Sequence, residues 1–456
     1  AVDLSGNVSP AKTVTVTYSI APTCTVTGPS SPTNAGTLVF TVNFNEPVTG
    51  LSAAGITVGN GVKGALTGSG TGPYTLLATP SGQGAVTCQV GADAAQNGAG
   101  TGNLASNIAS VTYDGLAPVP TVTGPASPTN AGVITFTIDF DEPVSNLTAA
   151  GISVGNGTMG TLAGSGAGPY TLPVTPLGQG TVTCRVIAGA VQDAAANGNA
   201  ASSLLGIVYD SVAPGCTVSA SGLSTNTLPV TFTINFSEPV AVFAASKITV
   251  GNGIKGTLAG SGAGPYTLPV TPLGQGAVYC QVDAGAAQDG AGNGSAVSNA
   301  LNIGYDTVSP TCTVAGPSSS TGKSPVNFTI NFSESVSGLT AAGITVGNGT
   351  KGALTGSGAG PYTLPVIPLC QGRVTCQVNE GAAQDAAANG NTVSNTAGVV
   401  YDSTLPTGTI IINGNQTVTN SRNVTLALTW SDGTGSGVVR TRFRNDGATW
   451  SAWEPL

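Results

Sequence analysis

The sequence predicts an all-β protein, a linear array of β-sandwich modules, and three observations carry that reading. One alternating phrase occurs four times, as LVFTVNFNEPV ending at Val48, VITFTIDFDEPV at Val144, PVTFTINFSEPV at Val240 and PVNFTINFSESV at Val336. Glu46, Glu142, Glu238 and Glu334 are therefore spaced by a constant 96 residues, the mark of a repeat architecture. Composition agrees, since 67 glycines and 29 prolines punctuate segments dominated by threonine and valine, as short strands joined by turns require.

Taken in order, residues 1–20 hold a turn-like DLSGNVSP and then one alternating strand, Val14, Val16 and Tyr18. One strand cannot bury its own face, so this segment reads as the last strand of a split domain. Prolines 22, 118, 214, 310 and 406 follow at the same 96-residue interval and delimit four modules, 21–115, 116–211, 212–307 and 308–403. Each proline fixes its own φ and pushes its predecessor toward extended geometry, which makes the joints short and semi-rigid.

Within the first module seven strands are expected, at 24–26, 38–44, 55–59, 65–67, 74–78, 85–90 and 110–113. In the second of them Leu38, Phe40, Val42 and Phe44 share one face, while Thr41, Asn43 and Asn45 share the other, the pattern of a half-buried antiparallel strand. The GSGTGP and GSGAGP segments before Tyr74, Tyr170, Tyr266 and Tyr362 supply positive-φ positions for a hairpin. Phe40 and Phe44 are the expected core anchors, and the EPV glutamates are read as strand ends that accept a hydrogen bond from a neighbouring turn or linker.

Composition also excludes. With 7% charged residues and no histidine, the chain lacks the usual means of general acid–base catalysis, and four identical acids without a partner base do not make four active sites. Twelve basic against twenty acidic residues give no basic surface for nucleic acid. Every apolar run is broken before the 18 or so residues that span a bilayer. Ala1 begins no signal peptide, so either one has been removed or this is an internal piece of a longer chain.

Eight cysteines divide unevenly. Cys24 and Cys88, Cys216 and Cys280, and Cys312 and Cys376 are each 64 residues apart, which argues for three disulfides joining the first strand to the sixth and for an oxidising compartment. Metal binding is the alternative for paired cysteines, but there is no histidine or CxxC cluster to support it. In the chain-entropy account each such loop contributes roughly 4 kcal/mol. Pro120 replaces the first cysteine of the second module and orphans Cys184, while the fourth carries an extra Cys370. Two readings stand for these: a buried thiol and a surface accident, or an intermolecular bridge between Cys184 of one chain and Cys370 of the next.

Phe-x-Glu-Pro-Val, Gly-Ile-Thr-Val-Gly-Asn-Gly, Pro-Tyr-Thr-Leu and a QDAAANGN-type loop recur in that order, and together they resemble the bacterial immunoglobulin-like repeats of large surface proteins and adhesins. The resemblance covers residues 21–403. It implies tandem Ig-like sandwiches acting as an adhesin stalk, or as the protomer of a surface fibre, secreted or at the cell surface. The alternative function is a glycan- or surface-binding segment of a larger secreted protein, with a surface glycan or host receptor as partner. Residues 404–456, ending in SGVVRTRFRNDGATWSAWEPL, resemble the first half of another bacterial Ig-like subtype. The missing half of that subtype ends in a phrase close to residues 3–17, which implies head-to-tail completion between chains or continuation in a longer one.

Two candidate sites remain. Asp193, Asn197, Asp289, Asn293, Asp385 and Asn389, with the linker acids Asp210 and Asp306, offer hard oxygen ligands for calcium between modules; Asp114 and Asp402 occupy equivalent linker positions. The plainer reading is that Asp and Asn bond their own backbone in turns. Trp450 and Trp453 offer aromatic faces for stacking a glycan, against a plainer role as sandwich core.

Overall fold

A computed structural model describes every residue except Thr434. The chain forms two compact units, Ala1–Val212 with Gly290–Asn293, and Ala213–Asp289 with Gly294–Leu456.

The first unit holds two sandwiches. In the first of them one sheet runs Cys24–Thr27, Leu38–Phe44, Tyr74–Pro80, Gly61–Thr67, and the other runs Ile56–Gly59, Gly84–Val90, Ala109–Tyr113. All of these pairs are antiparallel. Leu38, Phe40 and Val42 are fully buried and Val39 and Asn43 face solvent, so the two-residue period of the sequence becomes the two faces of the sheet. Phe44 meets Tyr74 edge to face, ring centroids 5.8 Å apart, and Phe140 meets Tyr170 in the same way at 6.1 Å in the second sandwich. The second sandwich repeats the two sheets, with Pro120–Thr123 as its first strand.

The turns follow from residue chemistry. Gly68, Gly70 and Gly72 have φ of 118°, 66° and 100°, which confirms the hairpin expected from GSGTGP. Asn60 also takes a left-handed φ of 52° and donates its side-chain amide to the carbonyl of Gly82 at 3.1 Å; Asn156 does the same to Gly178. Such Asn-Gly pairs suit left-handed turns, because the short amide side chain tolerates φ > 0. Lys63 Nζ donates to the carbonyls of Ala53 and Ile56, both at 2.9 Å, and so satisfies the end of the 3-10 turn Ala53–Gly55. Sequence periodicity did not reveal a further two-residue pairing, Val48–Thr49 with Gln96–Asn97.

The second unit repeats the plan twice. Its first sandwich pairs Cys216–Ser219, Val230–Phe236, Tyr266–Pro272 and Gly253–Lys255 in one sheet, and adds Ser224–Thr225, parallel to Leu301–Tyr305, at the edge of the other. Cys312–Ala315 begins the next, and Lys255 and Lys351 cap their 3-10 turns as Lys63 does. The last segment is thinner, with Thr407–Ile412 paired to Leu426–Ser431 and Arg440–Thr441 to Glu454–Pro455. Ile410, Ile412, Trp430 and Val439 stay exposed there. The strand expected over residues 14–18 is not formed: Val14, Val16 and Tyr18 are exposed, and among the described residues no neighbouring strand offers backbone groups for a ladder.

In three sandwiches the first strand is tied by an asparagine. Asn107 accepts from the Val26 N–H and donates to the Val26 carbonyl, both at 2.9 Å. Asn299 grips Val218 and Asn395 grips Val314 in the same way. Ser203 occupies the matching position in the second sandwich.

Candidate functional site

The residues with the most chemistry gather where one module hands over to the next. In the first unit Asp193 begins a tight turn, its Oδ1 accepting from the N–H groups of Ala195 and Asn197 at 2.8 Å and its Oδ2 from the Asn197 amide at 2.8 Å. Asn197 also donates to the Asp114 carbonyl at 2.9 Å and accepts from the Asn34 amide at 3.2 Å. One asparagine thereby ties the turn, the linker and the preceding module together.

The second unit carries the same clamp. Asp385 accepts from Ala387 and Asn389, and Asn389 donates to the Asp306 carbonyl at 2.9 Å and accepts from Asn226 at 3.1 Å. In the first unit Asn293 likewise donates to the Asp210 carbonyl at 2.9 Å. The bonds of the plainer, turn-capping reading are therefore present, and the same residues also form something larger.

Carboxylate oxygens of Asp114, Glu142 and Asp193 lie within 4.8 Å of one another, as do those of Asp306, Glu334 and Asp385. Burial pushes the Glu142 carboxyl above the usual carboxylate range, and the charges of Asp114, Asp193 and Asp141 push it further. Glu334 is raised by burial and then by Asp385 and Asp306. Sequence reasoning treated these glutamates as strand ends that accept a hydrogen bond. That holds for Glu46, which accepts from Asn97 at 3.3 Å, whereas Glu142 and Glu334 stand against two aspartates. Comparison of the copies held a signal for this: where the linker residue is Tyr18 and the turn residue Asn97, both aspartates are lost together. Three converging carboxylates supply hard oxygens and a local excess of negative charge, the donor set that suits calcium.

The cysteines fall where the spacing puts them. Cys24 lies on one sheet and Cys88 on the other, and their strands pack across the core, as do the strands of Cys216 and Cys280 and of Cys312 and Cys376. All eight are free thiols in this structure. Burial pushes Cys88 and Cys376 up to about 11 and Cys280 up to about 12. Cys184 is fully buried in the second module, and burial pushes its thiol up to about 11. Cys370 is exposed, its Sγ 3.0 Å from Asn348 Oδ1.

Trp450 and Trp453 of the last segment stay exposed and stand beside arginines. The Arg442 guanidinium lies 4.7 Å from the Trp450 ring centre and 4.5 Å from that of Trp453, and Arg444 lies 4.7 Å from Trp450. These distances are those of cation–π stacking.

No curated protein matches the chain. Among solved structures it is similar to invasin, a bacterial integrin-binding protein, at 12% identity over 87% of this chain and 81% of that one, TM-score 0.35. It is also similar to a tetra-tandem repeat in the extending region of a large adhesion protein, at 19% identity over 84% of this chain and 100% of that one, TM-score 0.31. The model of the bacterial Ig-like domain matches residues 114–208, 210–305 and 306–401, more than half of the sequence. Those three consecutive matches, on the strands and cores described above, place the chain in the bacterial Ig-like domain family.

Proposed function

We propose that the chain is a non-catalytic extracellular spacer, an array of Ig-like modules that holds an adhesive or surface structure at a distance. The observation that carries this reading is the recurring clamp: a module of fixed length is tied to its linker and its neighbour by one Asp-Asn turn, within each unit. Family membership supports it. Small-angle scattering tests the spacer. A compact chain of 456 residues has a radius of gyration of about 22 Å; an extended array gives a much larger value, and one near the compact figure ends the reading.

Three disulfides, Cys24 with Cys88, Cys216 with Cys280 and Cys312 with Cys376, complete the proposal and place the chain in an oxidising compartment. Thiol counting on denatured, unreduced protein then finds two reactive cysteines, Cys184 and Cys370; eight would disprove the pairing. Calcium is the proposed ligand of the acidic joints, with Asp114, Glu142 and Asp193 holding it in the first unit and Asp306, Glu334 and Asp385 in the second. The exposed apolar strands of 404–456 are proposed to be covered by a segment like residues 3–17, supplied by a second copy or by a longer chain. The exposed Val14, Val16 and Tyr18 support this.

A further inference from the structure

The second module is the odd one among four near-copies. It lacks the first cysteine, having Pro120 opposite the buried Cys184, and it lacks the asparagine that grips the first strand elsewhere, having Ser203. Among the described residues no side chain takes over the two bonds that Asn107, Asn299 and Asn395 make. Val122, the residue that would be gripped, is only partly buried, whereas Val26, Val218 and Val314 are buried. A groove of about 340 Å³ opens at this seam, lined by Val119, Pro120, Val122, Ser203, Leu204 and Leu205.

What still holds the strand is its ladder to Ile134–Phe140, the bond from Ala200 N–H to the Pro118 carbonyl at 3.1 Å, and that from Val119 N–H to Asp141 at 2.8 Å. The other three modules have counterparts of these bonds and the asparagine as well.

We propose that the second module is the yielding element of the array: its first strand detaches before that of any other module, and the detachment uncovers the Cys184 thiol. This deepens the spacer reading, on which its biological sense rests, because a spacer under load opens at its least tethered strand. The inference does not need the disulfides, since it compares tethers that remain when every cysteine is reduced. Opening gives the array slack at one defined place and presents one nucleophilic sulfur that the closed module hides.

The test is rate of thiol capture on the full chain, held in reductant that is removed just before a maleimide pulse, with each cysteine followed by mass spectrometry. Cys88, Cys184, Cys280 and Cys376 occupy equivalent, fully buried positions, so their capture rates report opening of their own modules. Two missing hydrogen bonds correspond to capture of Cys184 about tenfold or more ahead of the other three. Ser203→Asn, which restores the grip on Val122, brings Cys184 back to their rate. Equal rates in the wild-type chain overturn the proposal, and so does a fast Cys184 that Ser203→Asn leaves unchanged. Neither result depends on whether disulfides form or whether the chain is extended; scattering and thiol counting decide those separately.

Discussion

Burial and the charges of Asp114, Asp193 and Asp141 disfavour the ionised form of Glu142. Its folded-state pKa lies above the unfolded one, so between the two values the folded chain binds more protons, and stability falls as pH rises through that window. Acidification from neutrality toward the ordinary glutamate range therefore stabilises the joint in the absence of cation. Glu142→Gln removes the same repulsion at all pH values. It is expected to raise the melting temperature in chelator, to flatten the pH dependence there, and to lower the calcium stoichiometry found by isothermal titration by one. Unchanged stoichiometry would show that Glu142 holds no metal. The strand-end role expected from the EPV phrase was legible because strand and proline are local in sequence. The turn and linker aspartates were legible as oxygen donors, but the place of Glu142 beside them was not, because the three come from a linker, a strand end and a turn up to 79 residues apart and only folding brings them within reach.

At the scale of elements, alternation did most of the work. The strands Leu38–Phe44 and Tyr74–Pro80 lie where the two-residue period and the glycine turns put them, because a sheet with one dry face leaves no other register. The tethers between elements were hidden. Asn107 sits 81 residues from the strand it grips, and Lys63 caps a 3-10 turn that no periodicity announces. Those tethers are also where the copies differ, for the second module has Met159 in place of the lysine. A cysteine at the head of its first strand would make the module like its neighbours. Pro120→Cys is expected to pair with Cys184 and to add roughly 4 kcal/mol to that module in the chain-entropy account. The count of reactive thiols in denatured, unreduced protein should fall from two to one; a rise to three would mean that the strands do not bring the two sulfurs together.

Over the whole molecule, the proposed disulfides and the lack of one in the second module would set how far each module can stretch. If the 64-residue loops close as proposed, the first, third and fourth modules are expected to release only about a third of their length when pulled, about 110 Å each, and the second about 320 Å. Single-molecule extension of oxidised protein should thus show one long step, the earliest in the series, and three short ones. In reductant all four steps become long. Four equal steps in oxidised protein would remove the disulfides from the account, and a long step arriving last would remove the second module from its role.

The left-handed Asn-Gly turns at Asn60, Asn156, Asn252 and Asn348 carry a consequence in time. An asparagine followed by glycine loses its side-chain nitrogen when the next backbone nitrogen attacks the amide and closes a five-membered imide. Here each amide is pinned, to the carbonyls of Gly82, Gly178, Gly274 and Cys370. Folded modules are therefore protected from this ageing and opened ones are exposed to it. Isoaspartate accumulating at Asn156 ahead of the other three would be a written record of how often, and where, an array had been strained during its life.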